Sequence, residues 1–235
     1  EWQTEIYLSL TERLLKSNFK KYEHTTTPTM HTNKEHWENV YHTRQPEEVS
    51  WTQATPHTSL DFIRAFNLPK TAAIIDIGGG DSKLADYLLE EGYENITVLD
   101  ISAKAVEKAQ HRLGDKADKI KWIVQDITTF APDTQYHLWH DRAAFHFLTA
   151  ETQVHKYLHT MQQCIPSGGY AVMGTFATTG PEKCSGLPIQ QYDENTLAQL
   201  LQNGFEKIKC MTTTHTTPFN TKQDFLFCSF RRKEA

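Results

Sequence analysis

Between Ala72 and Ser82 an apolar run breaks into Asp76-Ile77-Gly78-Gly79-Gly80-Asp81-Ser82, and a second apolar run closes on Asp100. A buried strand that opens into glycines lets a ligand approach bare backbone, and an acid at the tip of the next strand can accept hydrogen bonds from a ribose diol. Residues of these types at this spacing serve a nucleoside-bearing cofactor. Chemistry-bearing groups concentrate again in Trp139-His140-Asp141-Arg142-Ala143-Ala144-Phe145-His146, where four ionisable side chains interrupt an apolar stretch. Burying such groups is costly unless they are paired or used. An imidazole titrating near neutrality, at His146 or His140, suits a general base, and Asp141 suits a steering carboxylate. The same residues have plainer readings: Asp141 with Arg142 as an ion pair, and His146 between two phenylalanines as a core histidine.

The glycine spacing narrows the cofactor. A dinucleotide fingerprint, Gly-x-Gly-x-x-Gly, needs a small residue at its third glycine so that helix and strand pack closely, and Lys83 stands there. The alternative reading is Asp-x-Gly-x-Gly at Asp76, Gly78 and Gly80. A carboxylate inside the strand end suits a cofactor with an ammonium-bearing tail and repels a pyrophosphate. This pattern resembles motif I of the class I S-adenosylmethionine (SAM) dependent methyltransferases.

These residues need a scaffold. Apolar and polar periodicities predict a helix near Thr58, the Ala72 strand, helix over Lys83–Glu91, strand over Ile96–Asp100, helix over Ala103–Leu113, and strands over Ile120–Val124 and His137–Asp141. Helix follows over Glu151–Cys164, strand over Tyr170–Phe176, helix over Glu194–Gln202, and strands over Phe205–Thr213 and Phe225–Arg231. Such alternation demands an α/β three-layer sandwich with a mostly parallel sheet covered on both faces. The last two strands have no helix between them and form an antiparallel hairpin. A seven-stranded sheet with this ending matches the class I methyltransferases in motif order and departs from a continued dinucleotide-binding fold. The resemblance runs from Met30 to Lys233.

From the resemblance follow further expectations. Gly78, Gly79 and Gly80 face the methionine part of SAM with Asp76. Asp100 accepts both ribose hydroxyls, with Ile101 beside it; Ser102 is already a good helix cap, which frees Asp100 from that task. Asp126 binds the adenine amino group, with the backbone of Ile127 also at adenine. Trp51, in the aromatic segment ahead of the first core strand, is a candidate lid over the cofactor, with packing on the sheet as its plainer reading. The segment after the fourth strand lies between cofactor and acceptor, so Arg142 joins His140, Asp141 and His146 there. Cys184 and Tyr192, on the loop from Gly180 to Tyr192, are candidate acceptor contacts, although a lone cysteine is usually inert. The Trp139–Ala143 run, this loop and His215 with Pro218 are similar to a branch of small bacterial methyltransferases.

Composition bounds the rest. The 235 residues are 38% hydrophobic and 23% charged with a net charge of −5, enough for a full core and against a general nucleic-acid surface. Cys164, Cys184, Cys210 and Cys228 lack Cys-x-x-Cys spacing, so neither a metal site nor a disulfide framework is expected, and a reducing, cytoplasmic home follows. No run approaches the ~20 apolar residues of a membrane span, and no signal-peptide pattern opens the sequence. Residues 1–29 read separately from the domain at 30–235: Trp2, Ile6, Leu10 and Leu14 mark an amphipathic helix, followed by a breaker-rich linker. They suit a cap, a leader or an appended segment.

Three functions fit. The first is SAM-dependent methylation of a small-molecule nucleophile through sulfur, oxygen or nitrogen. The second is protein lysine methylation; the absence of an Asn/Asp-Pro-Pro-Tyr sequence after the fourth strand argues against nucleic-acid bases and glutamine amides. The third, of another class, is a SAM-binding regulatory subunit without turnover.

Overall fold

The computed structural model describes residues 30–132 and 134–234, so the helix and linker expected over residues 1–29 lie outside the described residues. Helix α1 (Met30–Thr43) is followed by a short turn at Pro46–Glu48 and helix α2 (His57–Arg64). The chain then alternates: β1 (Ala73–Ile77), α3 (Leu84–Glu90), β2 (Asn95–Asp100), α4 (Ala103–Leu113), β3 (Ile120–Val124), β4 (Leu138–Arg142), α5 (Glu151–Cys164) and β5 (Tyr170–Phe176). A two-residue-per-strand hairpin, β6 (Lys183–Cys184) and β7 (Leu187–Pro188), precedes α6 (Glu194–Leu201), and β8 (Phe205–Thr216) and β9 (Lys222–Arg232) close the fold.

One seven-stranded sheet has the order β3-β2-β1-β4-β5-β9-β8. β1 to β5 pair in parallel; β9 runs antiparallel to both β5 and β8. This is the sandwich expected from the alternation of elements. Strand order reverses between β1 and β4, so the carboxyl ends of those two strands flank the crevice in which open α/β sheets bind ligands.

Period-two alternation along β4 sorts its side chains between the layers. Leu138 joins the cluster that packs α2 and α3 on the sheet, with Leu60, Ile63, Ile74, Leu84, Val172 and Phe225. Trp139 joins the opposite cluster, with Phe145, Tyr157, Met161 and Leu197 under α5 and α6. His140 and Arg142 therefore share the face of Leu138, whereas Asp141 shares that of Trp139. The ion pair suggested by the adjacency of Asp141 and Arg142 does not form, because neighbours in a strand point to opposite faces.

Two features depart from the sequence reading. β8 continues through the threonine-rich run to Thr216, carried by its ladder with β9. That ladder sets Cys210 opposite Cys228, and the two form a disulfide across the strands. Scattered spacing gave no hint of a bond, since only hairpin register brings together residues 18 apart. Cysteine usage therefore lends no support to a reducing compartment. Among the described residues no helix is long and apolar enough to cross a membrane.

Candidate active site

At the end of β1 the backbone turns through Gly78 (φ +64°) and Gly80 (φ +44°), in the left-handed region that side chains disfavour. The amides of Gly78 and Gly79 both donate to Leu99 O, at 2.7 and 3.3 Å, which ties this turn to β2. A Cβ at Gly78 would lie 2.5 Å from Ala144 Cβ, and one at Gly80 would lie 2.8 Å from the Tyr41 hydroxyl and 2.9 Å from Asp100 Oδ2. The glycines are thus required by the closeness of three elements: β1, the segment after β4, and α1.

Asp100 ends β2 and is 5% exposed. Its Oδ1 accepts from Ser102 N at 2.8 Å, while Ser102 Oγ caps α4 by accepting from Ala105 N. Burial is the largest influence on the Asp100 carboxyl and, with the charges of Asp76 and Glu38, pushes it up to about 7 against the hydrogen bonds from Ser102 and Gly80. Asp76 is gripped by His140, whose Nδ1 lies 2.6 Å from Asp76 Oδ1; the opposite ring nitrogen lies 2.9 Å from Ser59 Oγ on α2. All three are buried. The line Ser59, His140, Asp76 fixes the carboxylate beside the glycine turn.

Around these groups lies a cavity of about 910 Å³. Its floor is the glycine turn with Asp76, Asp100, Ile101 and His140; its walls are Arg142, Ala143, Ala144 and Phe147 after β4, and Cys184 on the β6–β7 hairpin. α1 and residues 44–56 close over it. Trp37 packs edge-on against Trp51 at 5.6 Å and against Phe147 at 5.1 Å, and Tyr41 lies 6.2 Å from Trp51. The 44–56 strap is pinned at its Arg44 end by Lys108 Nζ to Arg44 O at 2.6 Å and in its middle by His215 Nε2 to Ser50 O at 2.7 Å. On the far side of α1, Glu38 accepts from Ala103 N and Lys104 N, at 2.8 and 3.1 Å, across the first turn of α4. A carboxylate at a helix N-terminus is favourable, so this contact clasps α1 over Asp100.

Residues 74–169 match the family described as Methyltransferase domain. This stretch is a SAM-dependent methyltransferase domain. It is 27% identical over 104 residues to malonyl-[acyl-carrier protein] O-methyltransferase 1 of Ilyobacter polytropus, covering 44% of this chain and 37% of that protein. It is 25% identical over 122 residues to the eEF1A lysine and N-terminal methyltransferase of Mus musculus, covering 51% of this chain but 17% of that one. The chain thus spans well under half the length of these two relatives. The fold is shared with the N-methyltransferase NodS of Bradyrhizobium japonicum, solved with S-adenosylhomocysteine (TM-score 0.66, 17% identity, 86% of this chain and 100% of that chain).

SAM, the cofactor of this family, fits the residues present. A side-chain-free turn allows close approach, Asp100 offers a carboxylate to a ribose diol, and Asp76 offers one to an ammonium group. The structure brings Asp76, Gly78, Gly79, Asp100, Ile101, Trp51, His140, Arg142 and Cys184 to one cavity, with Gly80 against Asp100 and Tyr41.

Other expected residues stand elsewhere. Asp126 Oδ1 accepts from Thr128 N and Thr128 Oγ1, at 2.8 and 2.7 Å, capping a short turn at Ile127–Thr129; neither Asp126 nor Ile127 lines the cavity. Asp141 lies behind the wall, where its carboxylate accepts from Ala144 N, Phe145 N and the Tyr157 hydroxyl. It staples the turn after β4 and is pushed up to about 6, chiefly by burial. His146 is fully buried, its Nδ1 accepting from Phe176 N at 3.3 Å, and burial with the nearby Arg142 charge brings it down to about 3. Fully buried and away from the cavity lining, His146 fits the core reading better than the general-base role expected of it. Tyr192 is buried with its ring stacked on Phe145 at 5.4 Å, away from the cavity. The acceptor contact expected of it becomes a packing role.

Sequence reasoning missed Glu38 and Ser59. Each acts across more than 60 residues of chain, and neither sits in a recognisable motif. The β6–β7 hairpin did carry a signal: Ser185 (φ +51°) and Gly186 (φ +81°) form a two-residue turn of the type that Ser-Gly favours.

Proposed function

We propose that this protein transfers the methyl group of SAM to a small-molecule nucleophile. The observation that carries this reading is the cavity partly roofed by α1 and the strap. At about 910 Å³ it stands near the upper end of the roughly 300–1,000 Å³ of ligand sites, room for a cofactor and a compact acceptor together. Its roof is the chain's own α1 and 44–56 strap, which favours a compact acceptor.

Bound SAM supplies a methyl group already activated on a sulfonium, so the protein's work is positioning and exclusion of water. Asp100 and the Asp76–His140 pair hold the cofactor's two polar ends, and Trp37, Trp51 and Phe147 shield the space beside Ala144 from solvent. Both ring nitrogens of His140 are engaged. His140 thus orients Asp76, and the acceptor is one that needs no imidazole from the β4 segment to lose its proton.

Similarity to a lysine methyltransferase supports a second reading, methylation of protein. Incubation of the protein with methyl-labelled SAM and a cell extract split into low-mass and protein fractions separates the readings. Label in the low-mass fraction is the expected result. Label in protein alone establishes the second reading, and label in neither, with S-adenosylhomocysteine still bound, leaves a regulatory subunit.

A further inference from the structure

Arg142 is a cation on the cavity wall with no acidic partner among the salt bridges of the described residues. Its Nη1 donates to Trp51 O at 3.0 Å, but Nε and Nη2 are enclosed and have no acceptor among the described residues. The guanidinium lies 4.9 Å over the Phe225 ring, and its side of the cavity is otherwise lined by Trp51, Phe147 and Cys184. Burial brings Arg142 down to about 10 against the opposing influence of Cys184 and of the Asp76 charge, which makes no direct ion pair with it, and the Cys184 thiol is pushed up to about 12 despite the adjacent positive charge. The thiol is therefore neutral and does not balance the cation.

His146 strengthens the imbalance. Because its Nδ1 accepts the Phe176 amide proton, the neutral ring carries its own proton on Nε2, and that N–H too is buried without an acceptor among the described residues. Enclosed donors without an acceptor are costly, and two of these three are on one charged group. An oxyanion in the cavity answers the two on Arg142, because a guanidinium presents donors in the fork that matches a carboxylate.

Resting on the methyltransferase reading, we propose that the acceptor is an anionic small molecule, a carboxylate or similar planar oxyanion, held by Arg142. Arg142 then sets acceptor specificity and leaves the cofactor site untouched. The Trp51 carbonyl holds Nη1, which ties the guanidinium to the strap over the cavity and leaves its Nε–Nη2 edge for the anion.

The test is titration of the S-adenosylhomocysteine-loaded protein with matched pairs: benzoate and benzamide, salicylate and salicylamide, butyrate and butyramide. In at least one pair the acid should bind tenfold or more tightly than its amide. Arg142→Met should erase that preference while S-adenosylhomocysteine affinity stays within about twofold, and Arg142→Lys should restore it in part. Methionine removes an unbalanced buried charge, so a melting temperature equal to or above that of the wild type shows that the variant is folded. Equal affinities within every pair, no binding by any acid, or a preference that survives in Arg142→Met overturns the proposal. Failure to bind S-adenosylhomocysteine at all overturns the methyltransferase reading beneath it.

Discussion

Cofactor affinity should follow the ionisation of Asp100. The carboxyl ends β2 at 5% exposure and is raised to about 7, first by burial and then by the charges of Asp76 and Glu38. A ribose diol donates to a carboxylate far better than to a protonated acid. At pH 8 about nine tenths of Asp100 is ionised and at pH 6 about one tenth, so S-adenosylhomocysteine affinity should fall roughly tenfold over that interval, about 1.4 kcal/mol. Asp100→Asn should weaken binding by roughly 1–3 kcal/mol at pH 8 and flatten the pH profile. Stability of the free protein runs the other way. A carboxyl raised from its unfolded value of about 3.9 stabilises the fold below that pH and loses its contribution as pH rises through about 7, so Asp100→Asn should raise the melting temperature most near pH 8. Calorimetry at half-unit steps from pH 6 to 8.5 decides the matter. A flat profile in the wild type, or an equal slope in Asp100→Asn, refutes the placing of Asp100 on the cofactor.

Three further outcomes follow. Gly78→Ala adds a Cβ 2.5 Å from Ala144 Cβ at a backbone position that itself costs roughly 1–2 kcal/mol for a side chain, so S-adenosylhomocysteine binding measured by calorimetry should fall at least tenfold. His146→Gln should lower stability by roughly 1–3 kcal/mol at pH 7. Since a neutral His146 stabilises the fold above about 6.5 and loses that effect as pH falls toward about 3, acid denaturation monitored by circular dichroism should be shallower in this variant. Under denaturing, non-reducing conditions, alkylation should modify Cys164 and Cys184 and spare Cys210 and Cys228; closing a loop of this length is worth roughly 3 kcal/mol, which Cys210→Ser should forfeit in a urea melt.

The parts legible in the sequence were those in which local pattern and tertiary role coincide. Gly78, Gly80 and Asp100 announce themselves because a turn between buried strands leaves few residue types that fit, and the alternating elements dictate the sheet on which they sit. Ser102 marked itself as the α4 cap, which released Asp100 for the cavity. The cluster after β4 was legible in type but not in direction. Adjacency on paper joined Asp141 to Arg142, whereas the pleat sends one under α5 and the other into the cavity. His146 kept its place in the chain but not its chemistry, because burial behind Phe176 could be seen only once β5 was packed against the turn. Glu38, Ser59 and the Cys210–Cys228 bond depend on contacts across the fold and left no local trace. Asp126 was expected at adenine by likeness of position, and its Oδ1 accepts from Thr128 two residues on, a cap that local spacing alone could have suggested.

Titration of the protein with S-adenosylhomocysteine and, separately, with NAD tests the central claim most directly, since Lys83 and Asp76 distinguish this glycine turn from a dinucleotide site. One equivalent of S-adenosylhomocysteine should bind, with Asp100→Ala weakening it by roughly 1–3 kcal/mol, and NAD should give no heat. Binding of NAD, or of neither nucleoside, would contradict the account.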